Sequence, residues 1–211
     1  MKRTVLATAT TLMLGMSGTV SANSALNDFD ADGLDDAWRS TAILGGNAMS
    51  SNGDRVGSVQ EMILGEDGLV QSVVITRSPD DSLDQEYLTV EWDNVDFEPY
   101  EGEVQLDFSK SAAADREWQE LPPIADVGEW KVSRMIGMDV DSTDDVAEGE
   151  VEDVLITAKA NDMTAFVIES AFTDENYYAL PGDPEYVDYE ENELDLPFTA
   201  DTLKDLPDLA Y

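Results

Sequence analysis

The sequence predicts an all-β fold made of two tandem copies of one small β-rich unit, with short helical segments at the N-terminus and after each copy. Three observations predict it. First, the chain repeats itself: at an offset of 92, Gly45 aligns with Gly137, Asn47 with Asp139 and Gly57 with Gly149. Second, the residues between these markers fall into short β-type runs punctuated by Gly, Asp and Pro, the pattern of strands joined by turns. Third, 42% of the 211 residues are apolar, enough for a core, although 47 Asp and Glu against 11 Lys and Arg leave a net charge of −36. A wholly disordered acidic chain would be poorer in apolar residues.

The elements follow in order. Met1, Lys2 and Arg3 give a positive start, residues 5–16 are apolar and uncharged, and Val20, Ser21 and Ala22 are small. This is the layout of a secretory signal peptide cleaved after Ala22. The apolar run is too short to cross a bilayer core of about 30 Å. Residues 23–42 form an acidic N-terminal segment. Within it Asp28, Asp30 and Asp32 alternate, Gly33 follows and Asp36 stands at the ninth position. Alternating carboxylates on a curved backbone converge on one hard cation, and Gly permits the bend, so the spacing marks a candidate calcium loop with Asp28, Asp30, Asp32 and Asp36 as ligands. Leu34 would lend a carbonyl and turn its side chain inward. Position 12 is Arg39 instead of the bidentate Glu, so affinity would be weak. The competing reading is a solvated acidic segment in which an Asp-Gly turn leads into a helix over residues 34–44, capped by Asp32.

The first copy occupies residues 43–123. Val59, Met62 and Leu64, then Val70, Val73 and Ile75, read as two strands about a turn at residues 65–68. Residues 87–92 and 104–108 are further strands, and residues 109–121 are polar and helix-like. Pro122 and Pro123 mark the boundary. The second copy occupies residues 130–211. Val151, Val154 and Ile156 pair in pattern with Met163, Phe166 and Ile168, across a Gly-free connection at residues 158–162 that should be longer and looser. Residues 139–145 read as a surface loop and residues 186–192 as a strand end and bend at Asn192. Trp92, Trp118 and Trp130 read as packing residues. Gly57 and Gly149 mark a positive φ or a close approach.

At these residues the chain resembles the PRC-barrel family, named for the photosynthetic reaction-centre H subunit and found also in a ribosome-maturation protein. The resemblance lies in the opening Ile136, Gly137, Met138, Asp139 and Val140, in the strands at residues 149–156 and 165–169, and in Tyr178, Ala179, Leu180 and Pro181. The first copy fits the same frame through residues 57–75 and 90–92. The Asp-rich loop is similar to the short repeats of thrombospondin type 3 and dockerin proteins. The PRC-barrel resemblance implies two tandem PRC-type β-barrels, contact with other proteins in place of catalysis, and no catalytic residue.

Composition narrows the function further. With no Cys and no His, disulfides, thiolate nucleophiles and Ser-His or Cys-His catalysis are excluded. Nucleic acid is not an expected ligand, because phosphate binding needs clustered Lys and Arg. The acids are spread over the whole chain, as in proteins adapted to salt; the alternative is a surface that gathers cations or basic partners. The resulting expectation is an exported, periplasmic, non-enzymatic PRC-barrel protein that binds an envelope protein, in the groove between its two barrels. Its alternatives are a calcium- or cation-responsive structural protein and a carboxylate-dependent hydrolase. No cofactor other than calcium is expected, and no membrane span in the mature chain.

Overall fold

In the computed structural model, the described residues are 26, 29, 34, 37–78, 84–96, 103–122, 130–144, 146–157, 162–171, 177–204, 206 and 209. They form two seven-stranded sheets of the same design, and the all-β expectation holds. Among the described residues neither sheet closes into a complete barrel.

The first repeat supplies β2 (Asn47–Met49), β3 (Arg55–Leu64), β4 (Val70–Arg77), β5 (Glu86–Glu91), β6 (Val95–Asp96) and β7 (Glu103–Leu106). The second supplies β9 (Asp139–Asp141), β10 (Ala147–Thr157), β11 (Met163–Ser170), β12 (Tyr177–Pro181), β13 (Val187–Asp188) and β14 (Glu193–Asp195). Strand order is β5-β4-β3-β2-β7-β6 in one and β12-β11-β10-β9-β14-β13 in the other, position for position. In both, the first strand of the repeat pairs parallel with its last: β2 with β7, and β9 with β14. The rest is antiparallel, with matching irregularities at Val59/Glu61 and Val151/Asp153. These bulges leave Gln60 and Glu152 as the extra residues on their strands, immediately before Glu61 and Asp153.

The seventh strand of each sheet comes from outside its own repeat. β1 (Ala37–Arg39), which precedes the first repeat, pairs with β10 of the second, Trp38 opposite Ile156. β8 (Trp130–Lys131), at the very start of the second repeat, pairs with β3 of the first, Trp130 opposite Leu64. Trp38 and Trp130 are equivalent, as are Ile156 and Leu64, so the exchange is reciprocal. Each visiting strand leads into a helical turn, α1 (Ser40–Ile43) and α3 (Val132–Met135). The same symmetry appears at the hairpin ends, where Leu69 bridges its own counterpart Asp162 and Met163 N–H donates to Gly68 O at 3.0 Å.

A buried carboxylate holds each visitor. Asp153 is wholly buried and accepts from Ser40 Oγ (2.7 Å), Thr41 N (3.1 Å), Thr41 Oγ1 (2.5 Å) and Val154 N (2.8 Å). Glu61, buried at the same place in the first repeat, accepts from Ser133 N (3.0 Å), from Ser133 Oγ, and from Met62 N (3.1 Å). Buried carboxylates are tolerated when donors fill their lone pairs, and these are.

Apolar burial is continuous across the repeats. One cluster runs from Ile43, Val59 and Leu64 through Val132 and Met135 to Phe166, Leu180 and Phe198. A smaller cluster on the outer face of the second sheet holds Leu34, Leu155, Ala165, Val167 and Ala179, with Phe29 against it.

Several local expectations need correction. No helix runs from Leu34 to Leu44. Residues 37–39 are extended instead, because β10 offers them an edge, and the α-helix that follows them covers only Ser40–Ile43. Asp139, Val140 and Asp141 form β9 and are not a loop, since Val140 is needed in the core. The helices after the repeats are short, α2 (Lys110–Ala114) and α4 (Ala200–Leu203). Asn192 does take the bend, with φ 62°. Trp92 is buried, while Trp118 and Trp130 are half-buried against the core.

Candidate functional site

Gly57 and Gly149 explain how a groove arises at the same place in both repeats. A Cβ on Gly57 would stand 2.4 Å from Thr76 O, and one on Gly149 only 1.9 Å from Glu169 O. Each Gly therefore lets the start of the long strand sink against its hairpin partner, leaving a depression flanked by side chains from both strands. In the first repeat the depression is a groove of about 530 Å³ lined by the start of β3, the end of β4 and the first residue of α2. In the second it is lined by the equivalent stretches of β10 and β11 and by Asp139.

Their charges are opposite. Arg55, Arg77 and Lys110 line the first groove, three of the chain's 11 basic residues. No Asp or Glu is among the described residues lining it. Asp139, Glu150 and Glu169 line the second, where the described lining contains no Lys or Arg.

The first groove's cations are held in set positions. Arg55 donates from Nε to Gly57 O (3.3 Å) and from Nη2 to Ser58 Oγ (2.7 Å). Arg77 lies 3.8 Å over the Trp118 ring and pairs with Glu86 at 2.8 Å. Such stacking on an indole favours Arg over Lys. Lys110 follows the N-cap Ser109, whose hydroxyl accepts from Ala112 N. Thr76, at the groove wall, has a buried hydroxyl with no hydrogen-bond partner among the described residues.

Beside the second groove lies a buried polar pair. Glu148 is wholly buried and neither carboxylate oxygen finds a hydrogen-bond partner among the described residues. Ser142 is close, but its hydroxyl is used on Asp144 at 2.7 Å. Desolvation therefore raises the Glu148 carboxyl above its ordinary value, opposed by Ser142 and Lys204 and reinforced by Asp144 and Asp141. Tyr178 is raised too, first by burial and then by Glu148, and its hydroxyl is also without a described partner.

The candidate calcium ligands Asp28, Asp30, Asp32 and Asp36 lie outside the described residues, as do residues 1–22. Of that segment, Leu34 is buried against Leu155, Ala165, Val167 and Ala179. Among the described residues no group of three or more acids is arranged to hold a metal ion. No helix among them is long and apolar enough to cross a membrane. Both grooves lie within a repeat, whereas the repeats meet through the exchanged strands.

The doubled strand order and the Gly-dependent hairpin invite comparison with known families. Residues 128–203 match the PRC-barrel domain. The match begins just before β8, so it takes in the visiting strand and all of the second sheet's own strands. The first repeat lies outside the match; what it shares with the matched part is the strand order. No curated protein matches the chain.

Sequence reasoning missed the first groove. Arg55, Arg77 and Lys110 are separated by 22 and 33 residues. The available signal was their placement against the repeat: Ala147, Ser170 and Ala200 stand at the equivalent positions, so the cations are additions to a scaffold that folds without them.

Proposed function

We propose that this chain is a non-catalytic PRC-barrel protein that binds another protein in the cell envelope. The observation that carries the reading is the PRC-barrel match over residues 128–203 in a sheet whose design is duplicated in the same chain. Export rests on the signal-like residues 1–22, and adaptation to salt rests on a net charge of −36 with acids spread along the chain. A tagged chain expressed in a Gram-negative host should appear in the periplasmic fraction with Asn23 at its N-terminus. Photocrosslinking from position 58 or 150 in the native cell should give an adduct of one defined mass. No adduct at either position would overturn the binding reading.

A second reading follows from the spacing of Asp28, Asp30, Asp32 and Asp36, which supports weak calcium binding in the range of about 10⁻⁴ to 10⁻³ M. Calorimetry with calcium should give a heat that Asp28→Ala, Asp30→Ala removes. Equal heats for the two proteins would sink it.

A further inference from the structure

We propose that the groove of the first repeat binds carboxylates of an acidic polypeptide segment, an assignment that rests on the protein-binding reading and names its site. Arg55, Arg77 and Lys110 come from three separate elements and meet in one groove of about 530 Å³, within the usual size range of ligand sites. A chain with 47 acids has placed none of them among the described residues of this lining. The fold does not require the cations, since the equivalent groove is built by the same strands with acids in its lining.

The donors are suited to carboxylates. Arg guanidinium groups match a carboxylate with two parallel N–H bonds, and these charge-assisted bonds are about twice as strong as neutral ones. The ring under Arg77 and the backbone and hydroxyl contacts of Arg55 limit the side-chain entropy lost on binding. Thr76 adds a buried hydroxyl lacking a partner among the described residues, and such a group gains most from an incoming acceptor. Glu86 is the competitor: it holds Arg77 from the groove's edge, leaving Arg55 and Lys110 as the main attraction. The long-range field of the molecule repels an acidic ligand. That repulsion is screened at salt concentrations where the Debye length falls well below 8 Å, while contacts made within the groove persist.

The test uses the full chain and a fluorescently labelled Glu-rich peptide, read by anisotropy at about 0.5 M NaCl, between the limits at which the Debye length is about 8 Å and about 3 Å. The parent should bind saturably. Arg55→Gln, Lys110→Gln should weaken binding by about tenfold or more. Ser58→Glu, which copies the acid of the second groove, should abolish it. Glu150→Gln, Glu169→Gln should leave it unchanged. Unaltered melting temperatures will show that the variants fold, as the exposed positions of Arg55 and Lys110 lead one to expect. Equal binding by the parent and the Arg55, Lys110 variant overturns the site. Displacement of the peptide by equimolar inorganic phosphate overturns the polypeptide assignment in favour of a small anion. Saturation by a second, unlabelled copy of the chain in place of the peptide overturns it in favour of self-association. If the peptide fails while the cellular crosslink persists, this groove is wrong and the binding module stands.

Discussion

Glu148 and Tyr178 have apolar counterparts in the first repeat, Val56 and Leu88. The second repeat thus carries a buried carboxyl that its scaffold does not need. Because burial raises that carboxyl, the native state keeps its proton to higher pH than the unfolded chain does. The associated stability is full below the ordinary value of 4.5. It is lost as pH climbs through the raised value, and is constant above it. Glu148→Gln should therefore melt higher than the parent at neutral pH, and the difference should vanish near pH 4, which thermal melts across a pH series will read. Gly149 makes a steric prediction. With φ of 150° and Glu169 O in the path of a Cβ, Gly149→Ala should cost roughly 1–3 kcal/mol or more in a denaturant titration.

At the scale of elements, the exchanged strands are short and cannot hold themselves. β8 has only two residues and β1 only three. Their hold comes from the carboxylate behind them and the apolar surface beneath. Asp153→Ala would leave the buried Ser40 hydroxyl without its acceptor, at about 1–3 kcal/mol, while the exposed Thr41 can turn to water. Amide exchange at Trp38 and Arg39 should then accelerate to the rate of local opening. Glu61→Ala should do the same at Trp130 and Lys131, and the parallel between the two variants is the sharper check. The scarce arginines serve packing at this scale as well: Arg116 lies 3.9 Å from the Phe108 ring centroid and Arg134 4.7 Å from that of Tyr189.

For the molecule as a whole, reciprocal exchange joins the repeats through paired strands and one continuous apolar cluster. Residues 130–211 expressed alone would lack β1 and leave an edge of β10 unpaired. Two such fragments can restore the pairing by giving each other their Trp130–Lys131 strands, so light scattering after size exclusion should find a dimer. A stable monomer would show that the visiting strand is dispensable. The charge of −36 acts at the same scale. Rising NaCl should raise the melting temperature by weakening self-repulsion, and KCl should match it.

Much of the fold was legible in order and kind. The offset of 92 placed Val59 with Val151 and Gly57 with Gly149, and both pairs occupy equivalent sites. Where reading failed, a distant partner had overridden a local preference. Residues 37–39 look helical beside Asp35 and Asp36 until β10 supplies an edge, and Asp139 looks like loop until Val140 must be buried. The groove was illegible for a related reason: three cations far apart in sequence have no pattern until β3, β4 and α2 bring them together.

The sequence by itself determined the longer strands, their buried faces and the order in which they recur, because side-chain alternation and turn residues are local and survive in any context. Only the tertiary structure decided which sheet each short strand joins and which charges share a groove. Two similar sheets offer similar edges, and a strand of two or three residues carries too little information to choose between them. The choice is made by what is buried with it, a carboxylate across the chain from its donors and a core that spans both repeats.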